Sequence, residues 1–285
     1  SLWLKETCLG IVAMSSRLIL TTASQFHWRH WASSMACAGA LNAAILAGMA
    51  KTYRWYYADH EESTRNFAEK YGLPTEKQRM DIFAMLAERD EAIGAYEKSG
   101  AEVHRLAHFG GARGDVLEVA VGTGRCFQAL KQSSEISRFV GIDCLEEMLD
   151  RARHKLADLP FPASLIQADA HKLPFPDASF DTVIGSLCIC SVEKPAEVLA
   201  EMGRVCRSGG QILLVEPGVA RSWPIRYGQR YLGIVPNPKH AWECGWYDDL
   251  DPPALVQACP ALCVTSSWVR ALGNWYLITA TPKKL

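Results

Sequence analysis

The sequence predicts an α/β fold built on a parallel sheet, and three observations carry the prediction. The first is the mostly apolar, β-branched run from Val116 to Val121, interrupted only by Glu118, which is the pattern of a strand covered on both faces. The second is the turn that ends it: Gly122 and Gly124 let the chain bend tightly into a helix whose first amides are left open to a ligand. The third is the alternation that follows, in which amphipathic segments and short apolar runs take turns toward the C-terminus.

Length and composition bound the reading. At 285 residues the chain holds one domain of about 200 residues plus an appendage. A formal net charge of -1 provides no general attraction to nucleic acid, so bulk DNA or RNA binding is not expected. The 10 cysteines include no Cys-x-x-Cys pair and no Cys/His ligand spacing, which favours buried thiols in a reducing compartment over disulfides or a metal site.

Residues 1–30 carry one acid, Glu6, against Lys5, Arg17 and Arg29, with several Ser and Thr. They read either as the remainder of a mitochondrial targeting region or as an ordinary exposed leader. From Trp31 to Ala50 no residue is charged, a run long enough for a bilayer core, which takes about 20 residues. Tyr53, Trp55, Tyr56 and Tyr57 beside Lys51 and Arg54 resemble an interfacial belt, and Ala40, Ala44 and Gly48 form a small-residue face. A transmembrane helix over 31–50, with its interfacial aromatics to 57, is expected. A buried soluble helix is the alternative.

Residues 58–109 are charged and helical in period, interrupted at Gly72 and Pro74, and read as a helical lead-in. Its long helix is expected over 78–98 with Ile82, Met85, Leu86 and Ile93 as the apolar stripe. The domain proper, 110–285, begins before the Gly122 turn. Position 127, where a dinucleotide fingerprint needs a small residue, holds Phe, so the NAD pattern fails. A helix over 125–132 leads to the strand Arg138–Asp143. An acid that far past the glycines, about 20 residues, suits ribose hydroxyls, while capping of the next helix is the bland role for Asp143. A helix over 146–156 and a strand over 164–169 follow.

Two motifs then carry a family resemblance. Asp169-Ala-His-Lys-Leu-Pro-Phe-Pro-Asp-Ala-Ser-Phe-Asp181 and Glu201-Met-Gly-Arg-Val-Cys-Arg-Ser-Gly-Gly210, taken with Glu118, Gly122 and Gly124, resemble the type 11 and ubiquinone-biosynthesis branch of the class I S-adenosylmethionine-dependent methyltransferases. Two departures stand out: Ala120 replaces the family's usual first glycine, and Ser208 replaces a proline. The resemblance implies a Rossmann-like seven-stranded sheet with strands around 263–267 and 275–281 completing it, the last pair antiparallel. It also implies S-adenosylmethionine as cofactor, held by Glu118, Ala120, Gly122, Gly124, Asp143, Asp169, Ala170 and Leu187, with Asp169 on the adenine amino group.

Within that resemblance, the helix over 195–206 is expected to stop at Gly209 and Gly210 before a strand over 211–216. The loop 217–246, with Trp223, Tyr227, Tyr231, His240 and Trp242, would close an acceptor pocket on a small or lipophilic substrate or a partner macromolecule; a packed flap or a partner surface is the alternative for its aromatics. His240 and Glu216 are the candidate bases. Cys190-Ser-Val-Glu together with His240-x-Trp-x-Cys-Gly-Trp looks most like membrane-anchored methyltransferase-like proteins of mitochondria and endoplasmic reticulum. That likeness implies a mitochondrial inner-membrane location, with the endoplasmic reticulum as the alternative. The competing expectation is a non-catalytic subunit or assembly factor of a mitochondrial membrane complex.

Overall fold

The computed structural model describes residues 47–48, 51, 70, 72–89, 101–231, 238–247 and 249–283. The chain divides into two units, Ser1–Asp59 and His60–Leu285. In the first, only Ala47, Gly48 and Lys51 are described, each helical, so the leader and nearly all of the span expected over 31–50 lie outside the described residues. Among the described residues no helix is long and apolar enough to cross a membrane.

The second unit is organised on seven strands: β1 (Gly114–Val119), β2 (Ile136–Asp143), β3 (Ala163–Gln167), β4 (Phe180–Ser186), β5 (Cys206–Pro217), β6 (Leu262–Arg270) and β7 (Trp275–Pro282). They form one sheet in the order β3-β2-β1-β4-β5-β7-β6. The first five are parallel, and β7 enters antiparallel between β5 and β6. Chain order reverses between β1 and β4, and a ligand crevice in such a sheet opens at the carboxyl ends of the strands at that point.

Period-2 alternation in β1 sends its residues into two cores. Leu117 and Val119 pack with Val198, Leu199 and Met202 of α5 (Pro195–Val205) and Val256 of α8 (Pro252–Ala258). Val116 packs on the other face with Phe109 of α2 (Ala101–Phe109), Phe127 and Leu130 of α3 (Phe127–Leu130) and Leu149 of α4 (Glu146–Leu156). The helices start where local chemistry favours it. Thr75 and Gln78 make a reciprocal capping box for α1 (Glu76–Glu88), and α4 carries Glu146 and Glu147 in its first turn and Arg153, His154 and Lys155 in its last, matching its dipole.

Three expectations change. The helix over 125–132 is reduced to α3, because the backbone on either side closes into tighter turns: the Phe127 amide donates to the Gly124 carbonyl at 3.3 Å and the Gln132 and Ser133 amides to the carbonyls of Ala129 and Leu130 at 3.2 and 3.0 Å. The glycines at 209 and 210 do not stop a helix: α5 ends at Val205 and β5 starts at once, so the glycines sit inside the strand at an irregularity in its pairing with β4. Gly209 has φ +82°, and a Cβ on Gly210 would lie 2.7 Å from the Asp181 carbonyl, so the bend needs residues without side chains. On α1 the described helix ends at Glu88, and Met85 of the expected apolar stripe is exposed while Ile82 is buried.

Candidate active site

The site is built at the carboxyl ends of β1, β2 and β4. Beyond β1 the backbone turns left-handed at Ala120 (φ +57°), Gly122 (φ +54°) and Gly124 (φ +78°). The two glycines are required for different reasons. A Cβ on Gly124 would sit 2.7 Å from the Phe127 ring, whereas one on Gly122 would meet nothing within 4 Å and would project into open space. Phe127, the residue that broke the dinucleotide pattern, therefore fills the room that a small third residue leaves in that pattern. The turn is held from outside by Lys155, which donates to the Thr123 carbonyl at 2.7 Å.

Asp143, at the end of β2, joins the two neighbouring strand ends. Its carboxylate accepts the Gly122 amide at 2.9 Å and the Leu145 amide at 3.0 Å, so it borders the glycine turn and steadies the entry to α4, in keeping with the capping role. Burial pushes its carboxyl up, against the pull of these amides.

Glu118 lies at the base of the turn, 1% exposed. Burial raises its carboxyl to about 8, with the Cys126 thiol and the Arg105 charge pulling the other way. One of its oxygens, Oε2, has no hydrogen-bond partner among the described residues. A buried carboxyl with an orphaned oxygen, beside a turn opening on free space, suits a ligand that brings a cation and donors. Asp169 follows β3 and is exposed. Its Oδ1 accepts the His171 amide at 2.9 Å and lies 2.7 Å from His171 Nδ1, and these bonds hold its carboxyl below the usual range. The Nε2 of His171 is buried and unpartnered among the described residues. Ala170 beside it is half-buried.

Leu187, past the end of β4, is the second non-glycine residue in the left-handed region here (φ +52°), so adjacent strands β1 and β4 both leave the sheet through a strained residue. The loop it opens is fastened by Glu216. That carboxylate is wholly buried and accepts the amides of Cys188 at 2.8 Å, Ile189 at 3.2 Å and Cys190 at 3.3 Å. Burial raises it to about 7, opposed by the same amides. Its geometry is that of a loop clamp with its oxygens already committed. His240 falls in the first turn of α7 (Pro238–Cys244), and its side chain lies outside what is described.

A cap covers this end of the sheet. Met80 of α1 lies 3.7 Å from the Cys144 sulfur past β2, and Arg79 donates to the Ser191 carbonyl past β4 at 3.1 Å. Arg79 is 1% exposed, pairs with Glu76 and lies over the Tyr247 ring at 4.9 Å. Trp242 of α7 donates to the Gly72 carbonyl at 3.0 Å, and a Cβ on Gly245 would fall 2.5 Å from the Phe83 ring, so the ring lies over a residue without a side chain. Sequence reasoning missed Arg79. The available signal was a cation three residues before Ile82, on the helix face that had to be apolar. Trp223, Tyr227 and Tyr231, expected to floor the pocket, are instead 78%, 68% and 47% exposed on α6 (Trp223–Tyr231).

Residues 117–214 match a family model described as a methyltransferase domain. A phosphatidylethanolamine N-methyltransferase of Cereibacter sphaeroides is 37% identical over 145 residues, which cover 50% of this chain and 68% of that protein. A demethylmenaquinone methyltransferase of Clavibacter sepedonicus is 30% identical over 206 residues, 65% of this chain and 79% of the relative. Among solved structures, a chain of the complex between the Haloferax volcanii Trm112 methyltransferase activator and a methyltransferase aligns with a TM-score of 0.55 at 17% identity, over 72% of this chain and 97% of that one. A Leishmania major S-adenosylmethionine-dependent methyltransferase aligns at 0.54 and 12% identity, over 72% of this chain and 82% of that one. The structures speak for the fold, and the sequence relatives carry the enzyme reading over the non-catalytic one. With a glycine turn open to a ligand and buried Glu118 left half-satisfied beside it, the chain belongs to the S-adenosylmethionine-dependent methyltransferases, and S-adenosylmethionine is its cofactor.

Proposed function

We propose that this enzyme methylates a lipophilic acceptor, of the quinone or phospholipid class, at a membrane of the mitochondrion. The single observation that carries the acceptor class is the cap: Met80, Phe83, Trp242 and Tyr247 bring apolar and aromatic surface over the strand ends, with the Arg79 guanidinium the one buried cation described among them. Relatives named for phosphatidylethanolamine and demethylmenaquinone support the same class. The resemblance of the Cys190 and His240 segments to membrane-anchored mitochondrial proteins, and the uncharged run over 31–50, support the location.

When bound, S-adenosylmethionine supplies an electrophilic methyl group for in-line displacement. The residues that would hold it are Glu118, Ala120, Gly122 and Gly124 at the turn, Asp143 beside them, Asp169 and Ala170 past β3, and Leu187 past β4. The protein's share of the rate is then positioning and exclusion of water. The cap supplies both, while Glu216 keeps the 188–190 loop in place beneath it. His240, on α7 of the cap, is the proposed proton acceptor for acceptors that must ionise.

The test uses the full chain with labelled S-adenosylmethionine and two acceptors, a demethylated quinone and phosphatidylethanolamine. Transfer to one of them, abolished in Gly122→Val and slowed in His240→Gln, is the expected result. Cofactor binding without transfer to either lipid, but with transfer to a water-soluble acceptor, would overturn the acceptor class.

A further inference from the structure

We infer that α6 and the turn after β6 form a docking surface for an anionic lipid bilayer. Among the described residues the large exposed apolar side chains concentrate here: Trp223, Tyr227 and Tyr231 on α6, Trp268 and Val269 at the end of β6, and Leu272 in the following 3-10 turn, which is 76% exposed. On α6 the three aromatics recur every four residues and so share one face, with the Tyr227 and Tyr231 rings stacked at 6.5 Å. The opposite face holds Gln229, buried, which donates to the Leu272 carbonyl at 3.3 Å and to the Asn274 side chain. That fastening binds helix and turn into one surface with its aromatic side outward.

Charge selects the occupant. From Pro217 to Trp242 there is no acidic residue, while Arg221, Arg226, Arg230 and Lys239 fall in the same stretch, and Arg270 adds its guanidinium 5.7 Å from the Trp268 ring centroid. Arg221 pairs with Asp251 at 3.2 Å and Arg226 braces the Ala220 carbonyl at 2.7 Å, while Arg230 is exposed. Amphipathic rings interleaved with arginines are what the headgroup layer of an anionic membrane accepts.

The surface also faces the right way. Pro217 at the end of β5 pairs with Trp275, which pairs with Arg270, so α6, the turn and the end of β6 lie at the same end of the sheet as Gly122 and the cap. Docking there would bring the acceptor side of the enzyme to the bilayer. The contact itself depends neither on methyl transfer nor on the acceptor being a lipid.

Hydrogen exchange read by mass spectrometry on the full chain tests this locally, whatever else the chain uses to reach a membrane. The vesicles are phosphatidylcholine alone, or phosphatidylcholine mixed with phosphatidylglycerol. The mixed vesicles should slow exchange in peptides over 223–231 and 268–273 several-fold, the neutral vesicles less. Trp223→Ser with Tyr227→Ser, and separately Arg230→Glu, should lose that protection while still binding S-adenosylmethionine by calorimetry. Unchanged exchange in these peptides, even with the protein bound to vesicles elsewhere, would overturn the proposal. So would protection that needs no lipid and rises with protein concentration, which would place a second copy of the chain on this face.

Discussion

Arg204 on α5 donates to the main-chain carbonyls of Leu173 at 3.1 Å and Phe175 at 2.8 Å, so the helix carrying Glu201 and Arg204 fastens the loop that leads away from Asp169. Glu201 completes the fastening by accepting the Leu173 amide at 2.8 Å and pairing with Arg204. The two motifs that carried the family resemblance are therefore two sides of one contact. Arg204→Ala should cost about 1–3 kcal/mol of stability, the cost of leaving such partners unpaired, and should also weaken S-adenosylmethionine binding through the Asp169 loop. Urea unfolding and calorimetry read the two effects. A variant with lowered stability but wild-type affinity would show that the loop holds its shape without the clamp.

Ala120 keeps a left-handed backbone where the family places glycine. The strain is relieved by removing the methyl group, less the extra freedom glycine gives the unfolded chain. Ala120→Gly should therefore raise stability by about 0.5–1 kcal/mol, and Ala120→Val should lower it by more. Denaturant midpoints at constant m-value decide it.

Glu118 and Glu216 set the pH dependence. Both have native pKa values raised by burial, to about 8 and about 7, above an ordinary carboxyl value of 4.5. Between those limits the native state binds more protons than the unfolded state, so stability is fully present below pH 4.5 as far as these groups are concerned. It falls as pH rises toward 7 and 8, by an amount on the order of a few kcal/mol. Glu118→Gln should flatten the upper part of that slope in unfolding titrations from pH 5 to 9. A cationic cofactor favours the ionised form of Glu118, so binding near pH 7 should release a proton, seen as a buffer-dependent heat that Glu118→Gln removes.

Asp143 serves the turn through one oxygen and the entry to α4 through the other. Asp143→Ala should weaken S-adenosylmethionine binding by about 1.5–3 kcal/mol, the order for lost hydrogen bonds to a charged group. Asp143→Asn, which keeps only one acceptor for two amides, should fall between. Wild-type affinity in a folded Asp143→Ala protein would remove the residue from the site.

What was legible in the sequence was local. Glu118, the glycines and Asp143 lie within strand and turn patterns whose spacing fixes where they emerge, and the antiparallel return of the last strands came with the family resemblance. What was hidden depends on distant partners. Arg79 meets Ser191 across 112 residues, and Glu216 looks like a base until its oxygens are found on the amides of Cys188, Ile189 and Cys190. The stretch 217–246 reads as a loop in the sequence, yet it forms α6 and α7, and its aromatics at 223, 227 and 231, expected to floor a pocket, stand outward, because composition does not say whether protein or solvent lies beside a ring. Gln229, a polar residue, turned out to mark the inner side.

The cap is drawn from both flanks of the chain, 72–89 before the first strand and 238–247 after the fifth, whereas the glycine turn, Asp143 and Asp169 come from one unbroken stretch between them. If the cap selects the acceptor as proposed, exchanging these two segments for a relative's would change what is methylated without touching who supplies the methyl group. The exchange has to leave both 101–231 and the β6–β7 return in place, because that return follows 238–247 and pairs with β5 to complete the sheet.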